Sequence, residues 1–200
     1  MDFTIITRLR LKEAFNGNAK FQAVIVNNDY LNELYEHSTR GTSYVFDDLE
    51  IGHSVFIQNT RGVGRDKVFI IKNRNHNDMF LWHIDGVLYT KNSKCDCAIL
   101  TEKELIFVEF KSNAENQTDE AIIANFEKAK EQLLLTIDDI RTKCKTVDVD
   151  LSEILSIKAY AVFNRTIPNG NAYKKNISAD FFLKSDGIKL LFDNKKTLAN

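Results

Sequence analysis

Two acids and a lysine stand close together in one stretch of this chain: Asp96, then, after twelve intervening residues, Glu109-Phe110-Lys111. Two carboxylates and an ammonium can hold a hard divalent cation and activate water against a phosphoryl centre. A Glu-x-Lys tripeptide alone is common, so the chemistry depends on whether the chain brings the three side chains together.

The residues between them do this. The polar run 101–104 reads as a hairpin loop between the apolar runs 95–100 and 105–110. Pairing Leu100 with Leu105 sets Ile99 against Ile106, Cys97 against Val108 and Asp96 against Glu109. A two-residue loop at Glu102-Lys103 gives the same register. Opposed residues share a face and side chains alternate along each strand. One face then carries Cys95, Cys97, Ile99, Ile106, Val108 and Phe110. The other carries Ala98, Leu100, Leu105 and Phe107 near the turn, with Asp96, Glu109 and Lys111 at the open end. Two largely apolar faces predict central strands covered on both sides. Opposed carboxylates repel one another across a strand pair. Mg²⁺ (or Mn²⁺ in its place) would remove that repulsion, with water and substrate phosphate completing its shell. Lys111 would orient an attacking water, help deprotonate it, or neutralise charge developing at phosphorus.

The elements around this hairpin are legible in part. After it, Thr118 caps a helix with Asp119 and Glu120 in its first turn. Ile122, Phe126, Ala129, Leu133, Ile137 and Ile140 form its apolar stripe. Residues 157–163 read as a further strand. Strand, strand, helix, strand predicts an α/β or α+β fold with a mixed sheet. Earlier in the chain, 21–26 is a β-rich run. Tyr30, Leu31, Leu34 and Tyr35 fit a short helix capped by Asn28-Asp29. Runs at 55–57, 68–71 and 80–84 read as strands, and Asp85-Gly86 as a hairpin turn between 80–82 and 87–89. Apolar runs at 181–183 and 188–192 flank a turn at 185–187.

The pattern of Asp96, a short hairpin, Glu109-Phe110-Lys111 and then a helix resembles the PD-(D/E)XK nuclease superfamily. The likeness covers about residues 85–165; Lys94-Cys95 stands where the name-giving proline would. It implies a restriction-endonuclease-like αβα sandwich around a central mixed β-sheet, here with extra N-terminal β-hairpins, and Mg²⁺-dependent phosphodiester hydrolysis. It further implies another acidic metal ligand from a helix before the hairpin, for which Glu33 is preferred over Glu36 and Glu50. Some members carry a glutamine on the following helix, and Gln132 occupies such a place.

Nucleic acid would need cationic contacts. Arg61, Arg65, Lys67, Lys72 and Arg74 are opposed only by Asp66, and Gly62 and Gly64 let the loop approach a phosphate backbone closely. No Gly-Lys-Ser/Thr follows, so a P-loop is excluded. His53, His76 and His83 show no ligand spacing.

Composition bounds the rest. At 200 residues, 44% hydrophobic and 28% charged, the chain suits one globular domain, a β-rich part over about 1–84 followed by the nuclease-like core. Lys and Arg number 27 against 28 Asp and Glu, which excludes a strongly basic DNA-packing protein. Cys95, Cys97 and Cys144 lack the partners of a zinc cluster and read as small buried side chains in a reducing compartment. There is neither a signal peptide nor an 18-residue apolar run, so a cytoplasmic location without membrane contact is expected. The expected activity is a nuclease acting on DNA, with RNA as the other substrate, in restriction, phage defence or repair. A homodimer or partner protein would supply specificity. The competing reading is a non-catalytic nucleic-acid-binding or assembly subunit.

Overall fold

The computed structural model describes residues 5, 8–16, 34–90, 94–111, 118–163 and 172–199. In chain order these form α1 (Leu11–Ala14), β1 (Tyr35–Ser38), β2 (Thr42–Asp48), β3 (His53–Ile57), β4 (Val68–Lys72), β5 (Met79–His83), β6 (Cys97–Leu100) and β7 (Glu104–Lys111). There follow α2 (Asp119–Lys145), α3 (Leu151–Ile154), β8 (Ser156–Phe163), α4 (Ala172–Lys184), β9 (Leu190–Leu191) and β10 (Lys195–Thr197). The fold is α/β, with two mixed sheets.

The larger sheet has the order β1-β5-β6-β7-β8-β9. β6 and β7 pair antiparallel in the register expected from sequence: Leu100 with Leu105, Ile99 with Ile106, Cys97 with Val108. β7 also pairs with parallel β8, so it is flanked on both sides, which is why its run is almost wholly buried. The two faces of this sheet have different covers. Ala98, Leu100, Leu105 and Phe107 join a core with Phe126, Ala129, Leu133, Ile137 and Ile140, the predicted stripe of α2. Thr118 caps that helix by accepting from the Ala121 N–H. Buried residues of α1, α3 and α4 lie in the same cluster.

On the opposite face, Cys97, Ile99, Ile106, Val108 and Phe110 pack against Val45, Phe69 and Ile71 of a second sheet, order β10-β4-β2-β3. Among the described residues, this face of the main sheet is therefore covered by strands where the sandwich expected from sequence has helices. The inward side chains of β2 and β4 alternate with half-buried ones in β2, the pattern of a strand with one covered face.

Three local expectations are corrected. Tyr35 and Glu36 belong to β1, paired with Leu81 and Trp82, not to an early helix; Leu34 is the helical residue just before the strand. Stacking of Tyr35 on Trp82 rewards the extended form over the helical spacing. Residues 87–89 form no strand after Asp85-Gly86: the Gly86 N–H donates to the Tyr89 carbonyl and the Tyr89 N–H to that of Ile84, closing a compact turn. Cys95 lies in the helix-facing core, not beside Cys97, because β6 begins only at Cys97. The runs at 21–26 and 30–31 lie outside the described residues. No helix among the described residues is long and apolar enough to cross a membrane.

Candidate active site

Continuing the β6–β7 register by one residue brings Asp96 opposite Glu109. The Phe110 N–H donates to Asp96 Oδ2 at 2.5 Å, which locks the carboxylate against β7. The segment before Asp96 is held by α2 through residues one turn apart. Gln132 Nε2 donates to the Lys94 carbonyl at 2.9 Å, and Thr136 Oγ1 accepts from the Cys95 N–H at 2.9 Å. Thr136 in turn donates to the Gln132 carbonyl, and Lys94 Nζ to that of Leu135. These backbone contacts pull residues 94–95 out of strand geometry, which accounts for the position of Cys95.

Glu109 is 1% exposed. Its Oε1 accepts from Lys111 Nζ, while its Oε2 is buried with no hydrogen-bond partner among the described residues. Lys111 Nζ also donates to Gln132 Oε1 at 2.8 Å, so Gln132 bridges the lysine to the segment just before Asp96. The structure thus brings together Asp96, Glu109, Lys111 and Gln132.

Two further acids reach the same place. Asp47, near the end of β2, pairs with Ser54. Asp85 follows β5, and its N–H donates to the Asp96 carbonyl at 3.2 Å. Burial, then Glu109 and Asp47, hold Asp96 well above the usual carboxylate range. Burial pushes Glu109 up to about 7, against the pull of Lys111 and with help from Asp47 and Asp85. Asp47 and Asp85 are raised too, each first by burial. Lys111 lowers all four.

The other expected site residues fare differently. Glu33 lies outside the described residues. Glu36 accepts from the Phe56 N–H and pairs with buried His83 at 3.2 Å, so its carboxylate is engaged between β1, β3 and β5. Glu50 is exposed in the β2–β3 turn. Among the basic residues, β3 and β4 both run antiparallel to β2 and hence parallel to each other. The connecting loop must therefore return along the sheet, entering β4 at Val68 opposite Phe46. That brings exposed Arg65, and Lys67, to the end of the sheet bearing Asp47, whereas Lys72 pairs with Thr42 at the other end. Lys72 Nζ donates to Thr42 Oγ1, and Arg74 is exposed beyond it. Arg61 is exposed within the loop. The basic segment is thus divided between two ends of the small sheet.

Sequence reasoning missed Asp47 and Asp85. Asp85 was legible: pairing 80–83 with 97–100 would have put it beside Asp96. Asp47 had no signal in spacing, because it arrives by packing of one sheet on another.

Among the described residues the donor chemistry suits a divalent cation: opposed carboxylates, a buried carboxylate oxygen without a partner, and one lysine acting on all four acids. Among the described residues, no group of three or more His, Cys, Asp or Glu side chains is placed to hold a metal ion. Mg²⁺ does not require such a group, since one or two carboxylates with water and phosphate are its usual protein complement. Cys95, Cys97 and Cys144 are buried free thiols, with burial raising each. Set against family models, curated proteins and solved structures, the chain matches none.

Proposed function

We propose that this chain is a Mg²⁺-dependent nuclease of the restriction-endonuclease-like kind, hydrolysing phosphodiester bonds in DNA, within a restriction, phage-defence or repair system. The observation that carries the reading is Glu109: a buried carboxylate with one oxygen on Lys111 and the other without a partner among the described residues, opposite a second, half-buried acid. Buried polar groups are almost always satisfied, so an exception of this kind points to an ion or substrate.

Asp96 and Glu109 are the residues that would hold the cation. Bound there, the cation would polarise the phosphoryl group and lower the pKa of water. Hydrolysis joins a water oxygen to phosphorus and breaks one ester P–O bond. Lys111, held by Gln132, would present its ammonium to that water and to the charge developing at phosphorus. The Phe110 N–H keeps Asp96 in place through the reaction. Arg65 and Lys67 would take backbone phosphates beside the Asp47 end, and a second copy or a partner protein would supply sequence choice.

The test is incubation of wild type and Lys111→Ala with linear, circular and single-stranded DNA and with RNA, in Mg²⁺, Mn²⁺ and EDTA. Cleavage by wild type, abolished by EDTA and by the substitution, is expected. Saturable binding without cleavage in any metal would replace the reading with that of a non-catalytic binding subunit.

A further inference from the structure

A charge of the other sign is left unbalanced at the same end of the main sheet. Lys111, the last residue of β7, pairs with Phe163, the last of β8, and both lie on the face that α2 covers. Phe163 packs on Phe126 of α2 with ring centroids 4.5 Å apart, and Phe192 meets the two rings at 6.0 Å and 5.1 Å. Lys174, in the first turn of α4, rests its ammonium on this cluster. It stands 5.6 Å from the Phe126 centroid and 5.8 Å from that of Phe192.

The rings hold this ammonium, and no carboxylate balances it. Glu127 and Asp180, the acids between α2 and α4, are taken by other lysines: Glu127 by Lys130, and Asp180 by Lys130 and Lys184. Among the described residues Lys174 has no ion pair, and burial alone pulls it below the ordinary lysine range. The comparison within the chain is direct, because the shielded lysines Lys130, Lys158 and Lys196 each hold a carboxylate. Ring faces contribute about 0.5–2 kcal/mol to a cation without neutralising it. A charge drawn out of water ordinarily has a counter-charge, so the missing one points to an anionic ligand.

Its place in the fold selects the anion. Phe126 precedes Gln132 by six residues on α2, about 9 Å of helix axis. A nucleic-acid strand carries one phosphate per roughly 3.4 Å of axis. A strand with its scissile phosphate at Lys111 therefore brings another phosphate within reach of Lys174. Building on the nuclease reading, we propose that Lys174 binds a non-scissile backbone phosphate of the substrate strand, about two or three nucleotides from the bond that is cut. The contact is the same before and after the P–O bond breaks, so it strengthens binding and leaves the chemical step unchanged.

The salt dependence of DNA binding decides this, measured by fluorescence anisotropy in EDTA, where nothing is cut. The proteins are wild type, Lys174→Met, Lys174→Gln and, as a control, Lys175→Met at the exposed neighbour. Circular dichroism checks that each is folded. Both Lys174 variants are expected to flatten the plot of log Kd against log salt by about 0.7–0.9, which weakens binding about 5–10-fold at 0.1 M salt. Lys175→Met should keep the wild-type slope. In Mg²⁺ at saturating DNA, the Lys174 variants should cut within a few-fold of the wild-type rate. An unchanged slope in a folded Lys174 variant would overturn the proposal, as would an equal flattening in Lys175→Met. Loss of folding in both Lys174 variants would assign the residue to the core and overturn it too. These outcomes leave the nuclease reading to metal-dependent cleavage by wild type. Wild type that binds no DNA would overturn both.

Discussion

β7 carries a buried glutamate near each end, and the two have opposite surroundings. Glu104, 1% exposed, has every oxygen engaged: Oε1 takes Lys158 Nζ at 2.5 Å and Lys196 Nζ at 2.7 Å, and Oε2 accepts the Ala199 N–H at 2.9 Å. Despite burial, those partners hold its carboxyl below the usual range. Glu109, equally buried, has one lysine, one orphaned oxygen and acidic neighbours, and its carboxyl is pushed up to about 7. Residue type, strand and burial are the same, so the difference lies in what surrounds each carboxylate. At Glu104 the surroundings finish the structure, tying the C-terminal strand β10 to the main sheet. At Glu109 they leave one carboxylate oxygen without a partner among the described residues, which on the proposed reading is where a cation and a phosphate would bind.

The comparison can be broken in several places. The largest stability effect is expected at the satisfied end. Glu104→Gln leaves Lys158 and Lys196 without their counter-charge and should cost on the order of 3 kcal/mol. For a chain of this length that lowers Tm by about 6–12 °C in a thermal melt. Glu109→Gln removes repulsion instead, and should raise the Tm of the metal-free protein at pH 8.

The pH dependence should separate the two ends in the same melts. The folded protein keeps a proton on Glu109 up to about 7, whereas the unfolded chain loses it near 4.5. The folded state therefore binds more protons between those values, and stability of the metal-free protein falls as pH rises through that window. One pKa unit is about 1.4 kcal/mol, so the fall is roughly 3 kcal/mol. Mg²⁺ should reverse it at pH 8, and Glu109→Gln should flatten it. Glu104 has the opposite sign: its folded value is lowered, so its contribution is present above 4.5 and is lost as pH falls below that. Glu104→Gln should flatten only the acid limb.

A smaller effect is expected at Gln132. Gln132→Leu frees Lys111 from one partner and the Lys94 carbonyl from the other, and should cut the cleavage rate about 10–100-fold, the usual cost of losing an outer-shell contact. Wild-type rates in single-turnover assays of this variant would show that the α2 clamp does not position the site.

The same contrast explains what was legible in the sequence. The β6–β7 register, the juxtaposition of Asp96 and Glu109 and the α2 stripe rest on local periodicity, and each stands in the structure; Gln132 is indicated only by the family resemblance, and its side chain accepts from Lys111. Asp47, the division of the basic segment and the strand layer over the main sheet depend on how two sheets stack. No spacing along the chain encodes that. Tyr35 misled because an apolar spacing short enough for one helical turn also serves a strand when Trp82 and Phe80 lie opposite. Cys95 misled because side chains of α2 take up its backbone, a contact between residues 41 apart.

The central claim is that the unfinished end of β7 does the chemistry and the finished end does not. Its most direct test is single-turnover cleavage of circular and linear DNA in Mg²⁺ by wild type, Glu109→Gln and Glu104→Gln, below the Tm of each. Glu109→Gln should lose at least about 10²–10³-fold in rate, as expected when a dominant electrostatic group of the transition state is removed. Glu104→Gln should stay within a few-fold of wild type. Wild-type rates in Glu109→Gln, or equal losses in both variants, would contradict the account.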